Sequence, residues 1–147
     1  MLLPVKTSIQ PRRTPYTNYA LVAVNVVIFL LSYYPHVDTL GAEPEFIRNW
    51  ANQFVLEPGP GQLELWQFVS YAFLHAGFMH IAGNMFFLYL FGNNVNDKLG
   101  NVGYLAFYLA GAVFSGIGHV LLSGSSVLGA SGAVAAVTGA YLVLFPQ

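Results

Sequence analysis

No cysteine occurs among the 147 residues, which removes disulfides, cysteine–zinc sites and thiol catalysis from the functions these residues can supply. Charge is nearly as scarce. Asp, Glu, Lys and Arg make up 7% of the chain, against roughly a quarter in a soluble domain. With 56% of residues hydrophobic, the natural solvent is a membrane. The formal net charge is -1, and the basic residues Lys6, Arg12 and Arg13 crowd the N-terminus while most acids lie between Asp38 and Glu64. That distribution argues against a nucleic-acid partner.

A membrane helix needs about 20 mostly apolar residues. The stretches without charge are Thr14–Val37, Leu65–Asn96 and Leu99–Gln147. They predict an all-α polytopic bundle with helices at about 17–34, 67–92, 102–122 and 127–145, the last two joined at a Ser123–Ser126 turn. Residues 1–16 are then a short N-terminal segment, and 17–147 the membrane domain. A cleaved signal peptide is the competing reading of the N-terminus. It is set aside because Pro35 and no small-residue cleavage pattern follow the first apolar run. Basic residues near helix ends stay in the cytoplasm, so the N-terminus should lie inside and the segment 35–66 outside. Phe46, Trp50, Phe54 and Trp66 give that outer segment an interfacial character, with short amphipathic helices expected.

Polar side chains inside a membrane helix are costly unless partnered, which makes each a functional candidate. The second helix carries His75, His80 and Asn84, and at about 100° per residue the last two share a face. On a continuous helix His75 would sit roughly 140° around from His80. Two donors on one face suit an oxyanion hole, and His75 is expected to brace the helix against the outer segment. The fourth helix opens with Gly129-Ala130-Ser131-Gly132, which leaves a serine hydroxyl accessible as a nucleophile. Counted from the inner ends, His80 and Ser131 stand roughly 18 and 24 Å up their helices, so the two can meet. Gly111, Ser115 and Gly118 on the third helix, and Gly132, Ala136, Gly139 and Ala140 on the fourth, are expected to pack closely.

Together these residues resemble the rhomboid family of intramembrane serine proteases. Trp66-Gln67 is similar to the family's Trp-Arg pair, with Gln67 where the arginine stands. His75, His80 and Asn84 follow its His-x4-His-x3-Asn pattern, and Gly129 to Gly132 its Gly-x-Ser-Gly. The resemblance implies a six-helix core with the site sunk in an outward-opening cavity, of which four helices are represented here. It implies Ser131 as nucleophile, with His80, Asn84 and the Ser131 backbone N–H on the oxyanion, and His75, Gly129, Gly132 and Trp66 in support. Transmembrane protein substrates, the lipid bilayer of a bacterial cell membrane as surroundings, and no cofactor or metal also follow from it.

The family's base is a histidine on a sixth helix, and the sequence reaches Phe145-Pro146-Gln147 before a fifth, so these residues alone are expected to be inactive. His119, near the outer end of the third helix, is expected to bond between helices or face the turn, and His36 to be interfacial. Two readings compete with the protease. Rhomboid-like proteins without activity bind or route membrane proteins, which would not need Ser131. A metal on His75 and His80 is disfavoured by their five-residue spacing and the lack of a nearby carboxylate.

Overall fold

A computed structural model describes residues 9–33 and 49–146. His36, Phe46 and all of the stretch expected to face outward before Asn49 lie outside them. The described residues are largely helical and form no strand, and an isolated bridge joins Leu56 to Val127. In order they form α1 (Tyr16–Ser32), a 3-10 turn at Asn49–Phe54, α2 (Gln67–Ser70) running into a 3-10 turn at Tyr71–Phe73, α3 (Phe78–Phe87), a π-helical turn at Leu88–Gly92, α4 (Asn93–Leu122) and α5 (Ser131–Leu144).

Helix α1 starts after Pro15 and has no proline or glycine inside it, so nothing breaks its backbone hydrogen bonding. Its sides are inverted relative to a soluble helix. Asn18, Asn25 and Ser32, seven residues apart and thus on one side, are all 0% exposed, whereas Leu30 and Leu31 are 70% and 60% exposed. Asn25 and Ser32 bond back to the Leu21 and Ile28 carbonyls of their own helix, whereas Asn18 uses its amide to hold neighbouring segments.

The helix expected over 67–92 is not continuous. Residues 74–77 are non-helical, and Gly77 is extended at φ −177° and ψ 167°. The third and fourth expected helices also shift. α4 contains the 102–122 segment but begins at Asn93, and α5 begins at Ser131 because Val127 instead exchanges two 3.1 Å hydrogen bonds with Leu56. By length and composition one helical run, Phe78–Leu122, is long and apolar enough to cross a membrane, while α1 and α5 have 17 and 14 residues.

That run does not stay straight. Gly100, at φ 74° and ψ 167°, leaves the helical region. In one straight rod Gly92 and Tyr104 would be about 18 Å apart, yet a Cβ on Gly92 would collide with the Tyr104 hydroxyl. The two arms therefore fold back on each other at Gly100. The turn is locked by amides. Asn18 receives the Tyr104 hydroxyl proton at 2.6 Å, donates to the Leu88 carbonyl at 3.0 Å and to Asn93 Oδ1 at 2.8 Å, and its backbone N–H reaches Asn96 Oδ1 at 2.9 Å. The π-helical turn lets the Leu88 carbonyl take this external donor, because widening the helix alters its own bonding there.

α4 and α5 lie closest where their side chains are smallest. A Cβ on Gly111 would stand 2.9 Å from the Ala136 Cβ, and one on Gly132 would overlap Ser115. Gly118 and Gly139, expected in the same packing, face open space instead.

Candidate active site

Ser131 is the first residue of α5 and is exposed. No side chain caps this helix, and its first bond is Val134 N–H to the Ala130 carbonyl at 2.9 Å, so the N–H groups of the opening turn have no partner within the helix. The preceding Gly129 has φ 125°, a conformation that costs glycine little and a side-chain-bearing residue much. Its N–H donates to the Tyr71 carbonyl at 2.8 Å.

Gly129 also supplies the space into which His80 fits. A Cβ there would stand 2.6 Å from the His80 Cε1 and 2.7 Å from its Nε2. The imidazole of α3 therefore packs directly on the loop that leads to Ser131, across about 50 residues of sequence. One turn along α3, Asn84 is 8% exposed and its buried Nδ2 has no hydrogen-bond partner among the described residues. His75, wholly buried, meets His80 edge to face with ring centroids 5.1 Å apart. A continuous helix would have turned the two rings apart. The non-helical residues 74–77 bring them together, so the His75 ring packs against His80 itself.

Gly132 admits Ser115 of α4, which fixes the start of α5 against its neighbour. Trp66 precedes α2 and is 54% exposed. The organising role near it falls to Gln67, 4% exposed. Its Oε1 accepts the Glu57 and Glu64 N–H groups at 3.3 and 3.1 Å, and its Nε2 donates to the Gln53 and Gln62 carbonyls at 3.3 and 3.2 Å. An amide accepts and donates at once, which an arginine cannot do.

Two holding groups escape sequence reasoning. Tyr71 donates its hydroxyl to the Ala112 carbonyl at 2.7 Å while its own carbonyl holds Gly129. An aromatic in an apolar stretch gives no hint of work done by its backbone. Glu57 accepts the Ser126 hydroxyl at 2.6 Å beside the Leu56–Val127 bridge, so the segment before α2 straps the loop before Ser131. His119 faces the turn as expected, with its Nε2 2.8 Å from the Ser125 carbonyl. Among the described residues no three His, Cys, Asp or Glu side chains gather as metal ligands.

A family model described as the Rhomboid domain matches residues 62–147, more than half of the chain. The chain belongs to the rhomboid family. The matched residues include every rhomboid motif position named above, from Trp66 to Gly132. The chain is 39% identical over 77 residues to Rhomboid protease GlpG of Yersinia pestis (strain Pestoides F), and 36% identical over 77 residues to that of Yersinia enterocolitica serotype O:8. Each alignment covers 52% of this chain and 28% of the relative's length. The rhomboid proteins it matches are therefore far longer than the shared stretch.

Proposed function

We propose that this chain carries the nucleophile and oxyanion parts of an intramembrane serine endopeptidase that cleaves transmembrane segments of membrane proteins. Ser131 attacks the scissile carbonyl. His80 and the Asn84 amide donate to the oxyanion together with the Ser131 backbone N–H, each such donor contributing about 3 kcal/mol in the transition state. The observation that carries this reading is the seating of His80 on Gly129, with an unpartnered Asn84 donor one turn away. A buried amide N–H without a partner is costly in an apolar core, and a developing oxyanion would satisfy it.

The exposed leucines and valines of α1 and α5 favour lipid as their surroundings, with α1, the two arms either side of Gly100, and α5 as four crossings. Residues 1–16 then form the cytoplasmic segment and 17–147 the membrane domain of a bacterial inner-membrane protein. Short α1 and α5 fit if the bilayer thins locally or their ends lie recessed. The base is proposed to come from outside these residues, since His119 is engaged by the Ser125 carbonyl and His80 and Asn84 are assigned to the oxyanion.

The test is cleavage of a transmembrane substrate by protein carrying the complete rhomboid domain, with and without Ser131→Ala. Loss of cleavage and of fluorophosphonate labelling is expected. Full cleavage by the alanine variant would leave a binding or routing role as the better account.

A further inference from the structure

The end of the bundle opposite Ser131 carries a second feature. Where the start of α1, the Asn93–Asn101 turn and the end of α5 converge, a cleft of about 470 Å³ opens. Arg12, Arg13 and Lys98 line it, Phe145 adds an apolar wall, and Asp97 is the one carboxylate among the lining residues. That carboxylate is already engaged. Its Oδ1 accepts the Arg13 backbone N–H and its Oδ2 that of Arg12, both at 3.0 Å. These bonds fix the main chain of two consecutive arginines beside the cleft, while their side chains and that of Lys98 stay exposed. Three cations thus surround a cleft whose single carboxylate is turned to backbone.

Guanidinium groups offer paired N–H donors that match phosphate oxygens, and a lysine adds a point charge. A free inorganic anion would use the cations but has no use for Phe145. A phospholipid uses both, because its glycerol and first methylenes follow the phosphate into apolar surroundings. Basic residues at the cytoplasmic end of membrane helices are also where anionic lipid headgroups lie.

We infer that this cleft binds the phosphate of an anionic phospholipid headgroup at the inner membrane face, with Arg12 and Arg13 as forked donors, Lys98 as the third charge and Phe145 against the glycerol. This rests on the membrane reading above, not on the protease chemistry. Lipid held there would tie the start of α1 to the end of α5 through a ligand rather than a side-chain contact.

The test uses the purified full chain in detergent micelles, titrated with phosphatidylglycerol, phosphatidylcholine or sodium phosphate and followed by native mass spectrometry. Phosphatidylglycerol should be retained in preference to phosphatidylcholine, and an equal concentration of inorganic phosphate should not displace it. Arg12→Gln with Arg13→Gln should weaken phosphatidylglycerol binding roughly 30-fold, and Lys98→Gln about fivefold. Gln62→Glu, which lowers the net charge by one at an exposed position in the segment before α2, should leave it unchanged. Circular dichroism should show equal helix content in all variants, and Arg12→Lys with Arg13→Lys, which keeps charge but loses the fork, should bind at an intermediate level. Equal binding of the two lipids, a Gln62→Glu loss matching that of Lys98→Gln, or displacement by phosphate would each overturn the headgroup site. A wild-type chain that enters neither micelles nor bilayers would overturn the membrane reading as well.

Discussion

The two ends of the bundle handle buried polar groups in opposite ways. At the Gly100 end Asn18, Asn93, Asn96, Asn101 and Tyr104 bond to one another and to backbone, and both the carbonyl and the amino group of Asn18 are used. Among the described residues at the Ser131 end, Asn84 keeps a buried donor without a partner, α5 opens without a side-chain cap, and His80 fits by shape against Gly129. A satisfied network in a low-dielectric core rigidifies a fold, and an unsatisfied one is strained until something binds. The first end has the character of a frame, and the second is where the proposed site lies.

The most severe way to break that contrast is at Gly92. Gly92→Leu should push a side chain into Asn18 and Tyr104, and overpacking together with the lost bonds should destabilise the protein by about 4 kcal/mol. Denaturant titration of helicity in micelles measures this, and a loss under about 1 kcal/mol would mean the network is not a frame.

Asn84→Ala should do the reverse. Removing a donor that has no partner among the described residues should change stability by less than about 1 kcal/mol, yet, on the proposed function, lower kcat/KM of protein carrying the complete rhomboid domain about 100-fold, equivalent to about 2.7 kcal/mol. Equal effects on stability and rate would make Asn84 a framework residue and erase the distinction between the ends.

Gln67→Arg tests the strap before α2 and should destabilise by about 1–2 kcal/mol, because arginine cannot accept the Glu57 and Glu64 N–H groups that Gln67 Oε1 holds. Proteolytic sensitivity of residues 49–66 should rise in this variant. A more stable Gln67→Arg protein would show that the segment rearranges to suit the family's usual residue. The smallest effect is expected from Ser126→Ala, which removes one exposed hydroxyl bond to Glu57 and should cost under about 1 kcal/mol. On the proposed function, fluorophosphonate labelling of Ser131 in protein carrying the complete rhomboid domain should slow only slightly, since the Leu56–Val127 bridge still holds the loop.

The sequence by itself determined the helical class, because so few charges and such long apolar stretches leave the backbone little choice but to bond within helices. It also supplied the rhomboid family, since Trp66, His75, His80, Asn84 and Gly129–Gly132 stand at the family's spacing, and it offered Ser131, His80 and Asn84 as the residues proposed for the chemistry. Periodicity placed His80 and Asn84 on one face, and the small-residue pattern anticipated the contact of Gly111 and Ser115 with Ala136 and Gly132.

Only the tertiary structure decided where the helices break. Periodicity assumes a continuous helix, so it turned His75 away from His80, whereas the non-helical residues before α3 set the rings edge to face. Nor does the one-dimensional pattern reveal which carbonyl holds Gly129, that Glu57 straps Ser126, or that Asn18 locks a turn nearly 80 residues away. Each of these depends on groups distant in sequence meeting in space. Hydrogen bonds to backbone carry little residue-type signature, because every residue has a carbonyl to offer.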